Sequence, residues 1–397
     1  MVRYVAKNIY KMKLTANDDE DWDICWQDGA VQCDKLYKMK PYQRINHFPG
    51  MYALARKNHL ARNLGRMKKM FPDDYKFFPQ TFLLPSEYPD FRSQFNNKKK
   101  NNKTFIVKPE ASCQGRGIFL TRNLDDVNPY DHYVIQRYLH KPFLIEGLKF
   151  DLRVYVFLCG VDPLRIYMYN EGLSRFATET YIPPSNNNLD NLYMHLTNYA
   201  INKTSSKFVQ NKNEEADNVG HKRSLTFVWK YLEELGHDIK LIKNDVQATI
   251  IKTICAVQPQ LAHIYRSCQP DDLENSMCYE LLGFDIIFDR SLKPWILEVN
   301  HSPSFSTDSP LDFKIKKNLI ADTIKLLNLS WSKRQNYKKQ KQIEFQKRAM
   351  KGKPRITQEE KDILRLKRNK KRDNYEKKNL GDFELIFPSE NHPTEAY

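Results

Sequence analysis

Short apolar runs bounded by turn residues predict that the middle of the chain is built from β-strands. Residues 149–155 alternate strictly, so that Phe150, Leu152 and Val154 share one face. The predicted strands are 104–109, 117–121, 133–139, 150–160 and 164–169. Such hairpin-like runs mixed with helices predict an α+β fold rather than a doubly wound parallel sheet.

Helical spacing of apolar residues predicts four helices outside this β-rich region. One helix would begin after Ser224, a residue type that caps helix N-termini, and the longest helical segment is disturbed at Pro259. The predicted helices are 51–71, 224–235, 241–268 and about 313–327. Polar stretches at 96–103, 181–191 and 207–222 predict exposed loops.

Residues 280–305 predict a β-hairpin that carries a metal site. Two apolar runs, FDIIF and WILEV, flank the turn residues 289–294. If the two ends of this turn face each other, Asp285 pairs with Glu298, and Asn300 shares the face of Glu298. Burying two carboxylates without a cation is costly, and such oxygen ligands suit Mg²⁺ together with substrate phosphates. The alternative is an ordinary hairpin whose polar residues face water.

Two other segments place charge beside strands. Lys149, Asp151 and Arg153 share one strand face, which predicts either a charged site or a face that meets water. Residues 108–120 combine Lys108 at a strand end with a glycine-containing loop. Glycines let a loop backbone approach phosphate closely, although the spacing is not that of a Walker A motif and a plain hairpin loop is the alternative.

Positive charge is concentrated near the end of the chain. The net charge is +16, and residues 331–380 hold 19 Lys and Arg against 6 Asp and Glu, whereas the last 17 residues carry four acids and no bases. This block would attract nucleic acid, a membrane surface or an acidic protein. Residues 356–372 predict a basic amphipathic helix, with a disordered charge run as the alternative, and residues 381–389 are predicted to dock back on the fold.

Composition excludes several classes of protein. A hydrophobic content of 41% with 12% aromatic residues is typical of a globular chain rather than a disordered one. No apolar run approaches the roughly 18–20 residues that span a bilayer, and the N-terminal residues show no apolar signal segment. The seven cysteines include no CxxC pair, which favours reduced thiols and a cytosolic setting.

Five motifs, taken in order, resemble the tubulin-tyrosine-ligase-like enzymes. They are KPEASCQGRGIF, VIQRYL, KFDLRVYVF, HLTNYAINK and GFDIIFDRSLKPWILEVNHSPSF. The resemblance extends from about residue 40 to residue 330 and implies an ATP-grasp-like core that uses ATP and Mg²⁺ to join an amino acid to a tubulin carboxylate. It implies an N-terminal lobe, a central lobe, a C-terminal lobe with the metal hairpin, and a cationic microtubule-binding region, at 1–100, 101–190, 191–330 and 331–397.

The resemblance also implies a role for each matching position. Nucleotide binding is expected of Lys108, Gln114, Gly115, Gln136, Arg137, Tyr138, Leu139, Lys149, Asp151, Thr197 and Asn198. Within that set, the residues from Gln136 to Leu139 would form the hinge over the adenine. The expected catalytic residues are Arg153, Arg175 and Lys108. The incoming amino acid would meet Arg175, Tyr199, Lys222 and Lys317, and Mg²⁺ would bind Asp285, Glu298 and Asn300. Cys113 is interpreted as a bystander.

Within the family, the basic tail and the motifs ASCQGRGIF and NHSPSF resemble the autonomous polyglutamylases that extend glutamate chains and favour α-tubulin. Gln114 and His301 would then face the acceptor chain, although His301 is alternatively a group that supports Asn300. The expected partners are microtubules and free L-glutamate, with a monomeric chain, no membrane and no nucleic acid. The expected location is the cytoplasm and cytoskeleton, including the cilium, axoneme or basal body. The rival functions are an initiating polyglutamylase, a tubulin glycylase and a catalytically inactive microtubule-binding protein.

Overall fold

A computed structural model describes residues 1–15, 21–96, 103–111, 114–212, 218–351 and 357–394. Cys113 and most of the loop predicted at 96–103 lie outside the described residues. The helices are α1 (Val2–Asn8), α2 (Cys33–Lys38), α3 (Tyr52–Ala55), α4 (Lys57–Met70), α5 (Tyr88–Ser93), α6 (Leu192–His195), α7 (Tyr199–Asn202), α8 (Leu225–Glu234), α9 (Ile239–Cys255), α10 (Gln258–Cys268), α11 (Pro310–Leu326), α12 (Trp331–Lys351) and α13 (Gln358–Lys378). The strands are β1 (Ile24–Cys25), β2 (Arg44–Asn46), β3 (Thr81–Leu83), β4 (Phe105–Pro109), β5 (Phe119–Thr121), β6 (Tyr133–Arg137), β7 (Leu144–Ile145), β8 (Leu148–Val161), β9 (Leu164–Thr180), β10 (Lys222–Ser224), β11 (Cys278–Phe288), β12 (Pro294–Asn300) and β13 (Phe383–Phe387).

The strands form a large and a small sheet. The large sheet has the order β1-β2-β11-β8-β9-β10, with β12 added on β11, β13 on β9 and β7 on β8. Only β2 runs parallel to its neighbours, β1 and β11, and the remaining pairs of this sheet are antiparallel. The small sheet, β3-β6-β4-β5, is antiparallel throughout. The predicted α+β class is confirmed.

The long strand β8 separates two apolar clusters. Phe150, Leu152 and Val154 point to a cluster shared with α8, α9 and α10, whereas Tyr155 and Phe157 point to one shared with α11. Truncating a buried phenylalanine in such a core costs about 3–5 kcal/mol. The face that carries Tyr155 and Phe157 continues toward the start of β8 as charged residues instead of apolar ones, and there it meets the small sheet.

Strand β9 is longer than the sequence predicts. The residues after Tyr169 look like a turn, yet the strand continues to Thr180. Gly172 allows this because a Cβ there would lie 2.5 Å from the carbonyl oxygen of Arg153 on β8. Glu171 caps the start of α8, accepting hydrogen bonds from the Leu225 N–H at 2.9 Å and from other donors of that turn. The turn-like residues therefore serve packing and capping.

The predicted helices are present, but two of them are divided. The segment 51–71 breaks at Arg56, whose backbone is extended. The segment 241–268 becomes α9 and α10, and Pro259 lies in the first turn of α10, where its missing N–H is tolerated. Ser224 caps α8 as predicted, since its side chain accepts a hydrogen bond from the N–H of Phe227.

The basic tail folds into α12 and α13 rather than remaining without structure. Thr357 and Glu360 form a capping box at the start of α13. Near its end, the Arg372 guanidinium donates to the carbonyl of Glu274 at 2.8 Å and pairs with Glu376 at 2.6 Å. Strand β13 then pairs with β9, which confirms that residues 381–389 dock back on the fold.

Candidate active site

Strand register gathers four charged side chains on one face of the large sheet. Asp151 on β8 lies opposite Arg175 on β9, and Arg153 on β8 lies opposite Asp285 on β11. Arg175 donates to Asp151 at 2.6 Å and lies 2.7 Å from the Oδ2 atom of Asp285. Arg153 donates to the same carboxylate at 3.0 Å. The result is a network in which two guanidiniums are held by two carboxylates.

Burial and charge act in opposite directions on these carboxylates. Burial alone would raise the pKa of Asp285, but Arg153 and Arg175 outweigh it and hold this pKa well below its usual range. Burial raises the pKa of Asp151 despite its contact with Arg175. Thr197 adds a hydroxyl hydrogen bond to Asp151 at 2.8 Å. Both guanidiniums are thus fixed in position before any ligand arrives.

The metal hairpin has the predicted pair but not the predicted turn. Asp285 lies opposite Glu298, and Gly283 lies opposite Asn300. At the turn, however, Pro294 faces Phe288 rather than residue 289. A β-bulge between the turn and Asp285 shifts the register by one residue, so that Asp285 still faces Glu298. The bulge leaves Leu297 without a partner residue on β11. The assumed turn register was wrong, and the extra residue in β12 compensates for it.

The hairpin oxygens fit a divalent cation, with Glu298 contributing more than Asp285. Burial and the neighbouring charge of Asp285 raise the pKa of Glu298, which indicates two crowded carboxylates that a cation would relieve. The Asn300 amide donates to Glu298 at 3.3 Å. Asp285 already has two guanidinium partners. Among the described residues no cluster of three His, Cys, Asp or Glu side chains forms a complete metal site, so phosphate oxygens would have to complete the shell.

Two buried lysines face the same cleft. The Lys108 ammonium donates to the side-chain oxygen of Gln136 at 2.6 Å. The Lys149 ammonium donates to the carbonyl oxygen of His195 at 2.6 Å and to the Tyr138 hydroxyl at 2.9 Å. Burial lowers the pKa of Lys108 to about 8 and that of Lys149 to about 7. An anionic ligand would restore both charges, which is the behaviour expected of a phosphate-binding pair.

The cleft lies between the two sheets and measures about 690 Å³ including its open mouth. Most of the predicted nucleotide residues line it, together with the two hairpin carboxylates. These lining residues are Lys108, Gln136, Arg137, Tyr138, Leu139, Lys149, Asp151, Arg175, Thr197, Asn198, Asp285 and Glu298. The cleft therefore brings together side chains that are far apart in the sequence, such as Lys108 and Glu298, which are 190 positions apart.

Sequence reasoning missed the apolar walls of this cleft. They come from strands of both sheets and from the segments beside these strands, and comprise Pro79, Ile106, Ile118, Leu196, Ile287 and Leu297, with His195 beside them. The strand period contained the signal, since Ile106 precedes Lys108 by two residues and Ile287 follows Asp285 by two. Apolar contacts from two sides suit a planar base, and the charged residues suit its phosphates.

Several predicted residues lie outside the cleft lining. Gln114 is exposed, and Gly115 has a left-handed backbone whose missing Cβ would lie 2.5 Å from Ile201. Arg153 reaches the cleft only through Asp285, and Asn300 lies beside Glu298. The loop that contains Gln114 packs on α7, so its nucleotide role remains a prediction.

The predicted amino-acid residues divide into two places. The Lys222 ammonium lies 3.7 Å from the centre of the Tyr199 ring and 2.7 Å from Asp312. Lys317, by contrast, lies over Phe313 at 5.8 Å, away from this group. The neighbouring residue Lys316, rather than Lys317, lies beside Asp312 and Lys222.

Lys316 and Asp312 were missed by the sequence analysis. The Lys316 ammonium lies 3.0 Å from the fully buried carboxylate of Asp312 and donates to the carbonyl of Ser306 at 2.6 Å. The signal was their spacing of four on α11, which places both on one helix face. Lys317, one position further, is rotated away from that face.

His301 belongs to an aromatic cluster next to the hairpin. Its ring centre lies 5.2 Å from that of Tyr52 and 5.4 Å from that of His47. His47 is buried and its Nδ1 atom lies 2.6 Å from Glu280. Burial lowers the pKa of His301, and the nearby His47 and Arg56 act in the same direction. His301 does not line the nucleotide cleft.

Two sheets with a charged cleft between them, bordered by a hairpin that carries two carboxylates, fit an ATP-grasp-like fold. The sequence profile of the Tubulin-tyrosine ligase family matches residues 35–337. The chain belongs to this family.

Similar proteins are found across distant organisms. A "Probable beta-tubulin polyglutamylase" of Tetrahymena thermophila is 58% identical over 392 residues, covering 98% of this chain and 33% of that protein. Human "Tubulin polyglutamylase TTLL6" is 46% identical over 376 residues, covering 94% of this chain and 41% of that protein. "Tubulin polyglutamylase TTLL7" of Xenopus tropicalis is 42% identical, with 98% and 45% covered. The chain spans a third to just under half the length of these relatives. None of the helices in the described part of the chain is long and apolar enough to cross a membrane.

Proposed function

We propose that this chain is the catalytic part of an ATP-dependent ligase that adds glutamate to glutamate side chains of tubulin. The observation that carries the proposal is the cleft, where two buried lysines and Arg175 line an apolar-walled pocket, and Arg153 lies behind Asp285. The similarity to proteins named tubulin polyglutamylases supports the substrate.

The chemistry explains why the site has fixed charges rather than a protein nucleophile. An oxygen of the acceptor carboxylate attacks the γ-phosphorus of ATP, and ADP leaves. The amine of free glutamate then attacks the resulting acyl phosphate at its carbonyl carbon, inorganic phosphate leaves and the amine proton is released. Such phosphoryl transfer depends mainly on positioning and electrostatic stabilisation.

The residues divide this work by position. Lys108 and Lys149 bind ATP phosphates, and Arg175 with Arg153 stabilises the transferred phosphoryl group and the acyl phosphate. Because both guanidiniums are already held by carboxylates, little reorganisation is needed when charge develops. Glu298, Asn300 and Asp285 would hold Mg²⁺, which shields phosphate charge when it is bound.

The substrate amino acid would bind beside this group. Lys222 and Lys316 pair with the buried carboxylate of Asp312, which neutralises part of the lysine charge, and Tyr199 lies against Lys222. We assign the carboxylates of free glutamate to these lysines, in place of the predicted Lys317. Gln114 and His301 are assigned to the acceptor chain.

The finer form of the proposal is chain elongation with a preference for α-tubulin. It depends on the motifs that contain Gln114 and His301. The name of the Tetrahymena relative refers to β-tubulin, whereas the other two names specify neither isotype. Initiation of chains and glycylation are the rival activities, and a catalytically inactive microtubule-binding protein is the rival from another class.

The cationic helices α12 and α13 would hold the enzyme on the acidic microtubule surface. This association predicts strong salt dependence, because exposed charges are screened at high ionic strength. It also predicts a cytoskeletal location, which in ciliated cells includes the axoneme. Binding to RNA in preference to microtubules would contradict this assignment.

Mass spectrometry of microtubules and of acceptor peptides tests the function. The protein is incubated with MgATP and equal concentrations of glutamate, glycine and tyrosine, and peptides with and without a glutamate branch are compared. We expect glutamate alone to be added, mainly to the branched peptide, and Glu298→Gln to remove this addition. Glycine addition, or no addition with microtubule binding retained, would contradict the proposal.

A further inference from the structure

Helix α4 carries a row of cationic side chains that the cleft does not use. Arg62, Arg66 and Lys69 are all exposed and lie four and three positions apart, so they share one face of the helix. The opposite face, with Leu60 and Leu64, is buried in the core. The row therefore belongs to a rigid element with a fixed direction.

Arg62, Arg66 and Lys69 form no ion pair with a described acidic residue, although Glu110 accepts a hydrogen bond from Asn58 near the start of the helix. Residues 51–72 contain six Lys and Arg and no Asp or Glu. Among the described residues, no ion pair within 4 Å involves Arg62, Arg66 or Lys69. In the cleft, by contrast, both guanidiniums are held by carboxylates. A positive surface without internal partners is available to an anionic ligand.

The row begins beside the candidate active site. The Arg56 guanidinium, just before α4, lies 4.7 Å from the centre of the Tyr52 ring, and Tyr52 contacts His301 at 5.2 Å. His301 directly follows the hairpin residue Asn300. Helix α4 packs against β12, so the row starts beside the Asn300 end of the hairpin and continues along that strand.

The length of the row fits a short extended peptide. From Arg56 to Lys69 a helical rise of about 1.5 Å per residue gives about 20 Å. An extended chain of about six residues covers the same distance. Carboxylates along such a peptide would meet cations repeatedly while one end reaches His301.

We infer that the exposed face of α4 binds the acidic acceptor peptide and guides it to the cleft. The inference rests on the proposed function for the identity of the acceptor. The acceptor would then approach the cleft along α4, on a surface separate from the basic helices α12 and α13. The inference also assigns a function to cations that neither ATP binding nor microtubule attachment requires.

A charge-reversal variant and a matched control test this surface. The test variant is Arg62→Glu/Arg66→Glu/Lys69→Glu. The control is Lys230→Glu/Lys240→Glu/Lys325→Glu, three exposed lysines on other helices, so that both variants have the same net charge. A milder variant, Arg62→Gln/Arg66→Gln/Lys69→Gln, removes charge without reversing it.

Two measurements separate this inference from the proposed function. Fluorescence anisotropy measures the Kd of a labelled glutamate-rich peptide without requiring catalysis, and steady-state kinetics measure KM for the peptide and for ATP. We expect the test variant to weaken peptide binding on the order of tenfold to a hundredfold, as several surface ion pairs would, and the Gln variant to weaken it less. KM for ATP should stay unchanged, and the control should change peptide binding less than threefold.

Equal losses in the test and control variants, or no loss in either, would overturn the inference. The wild type could also bind a single-stranded RNA more tightly than the peptide, and the test substitutions could weaken that RNA binding. This result would overturn the inference in favour of a nucleic-acid surface. If the wild type adds no glutamate, but the test variant binds the peptide more weakly as predicted, the proposed function fails and the peptide surface stands.

Discussion

The cleft between the two sheets and the C-terminal helices are both rich in charge, but their charged side chains differ in burial and in pairing. In the cleft, Arg153, Arg175 and Asp285 are at least 87% buried and bind one another through short ion pairs. On α12 and α13 most Lys and Arg side chains are exposed. Burial strengthens electrostatic interactions and fixes geometry, whereas exposure leaves charges screened and mobile.

Helix α13 itself carries both kinds of charged residue, paired ones against the fold and exposed ones. Arg372 is buried against Glu376 and the core, and Arg165 of β9 joins the same acidic group at 2.8 Å. Lys367 and Lys370, on the same helix, are exposed. A positive net charge alone therefore does not identify a binding module. Part of the cationic tail holds the helix on the fold, and only the rest is available for a partner.

The largest expected effect separates the two hairpin carboxylates. Asp285→Ala leaves the buried Arg153 without its acidic partner and leaves Arg175 with Asp151 alone. It should therefore lower the free energy of unfolding by about 3–5 kcal/mol. Glu298→Gln should leave it unchanged or higher, because the raised pKa of Glu298 shows that the fold disfavours its charge. Both variants should reduce glutamate transfer on the order of 10²–10³-fold. Denaturant unfolding measures the stability of each variant, and steady-state kinetics measure its rate of glutamate transfer. Equal losses of stability in the two variants would contradict the prediction.

A second prediction tests the docked part of the tail. Arg372→Ala should destabilise the protein by about 1.5–3 kcal/mol, because the buried Glu376 would keep Arg165 but lose its second guanidinium, and the Glu274 carbonyl would lose its donor. Lys370→Ala, the control on the exposed face, should change stability by less than about 0.5 kcal/mol. Thermal unfolding and limited proteolysis at α13 report the difference. Similar proteolysis of both variants would show that Arg372 does not hold the helix.

The smallest expected effect is a change in protonation. With pKa values of about 7 for Lys149 and about 8 for Lys108, both lysines are partly neutral near pH 8. Phosphates would raise both pKa values, so ATP binding should take up protons, and its affinity should fall as the pH rises from 7 to 9. Titration calorimetry in buffers of different ionisation enthalpy counts these protons.

Lys149→Met provides the control for that experiment. The variant should bind ATP more weakly and take up fewer protons than the wild type at the same pH. Proton release on binding, or an affinity that does not change with pH, would show that the lysines are charged without ligand.

Strand periodicity made much of the fold and part of the cleft predictable. Alternation placed Lys149, Asp151 and Arg153 on one face, and the hairpin placed Asp285 opposite Glu298. These inferences need only the two-residue repeat of a strand. The same repeat would have identified Ile106 and Ile287 as cleft residues.

Partners across different strands were not predictable in this way. The contact of Arg175 with both Asp151 and Asp285 depends on the order of β9, β8 and β11, which no local pattern contains. The bulge at Leu297 and the close approach of Gly172 to β8 are likewise tertiary features. The helix at 331–351 lacks a regular apolar face, whereas the capping box at Thr357 was visible in the sequence and was overlooked.

The most direct test of the account follows oxygen from the acceptor carboxylate into phosphate. An acceptor peptide labelled with ¹⁸O in its glutamate side-chain carboxylates is incubated with the protein, MgATP and free glutamate, and the released inorganic phosphate is examined by mass spectrometry. The account predicts one ¹⁸O atom in phosphate for each glutamate joined directly to a labelled carboxylate, because the acyl phosphate loses its bridging oxygen with the phosphoryl group. Glutamates added later to a newly attached, unlabelled glutamate release unlabelled phosphate. Glutamate addition without ¹⁸O in the phosphate would contradict the acyl-phosphate mechanism assigned to this cleft.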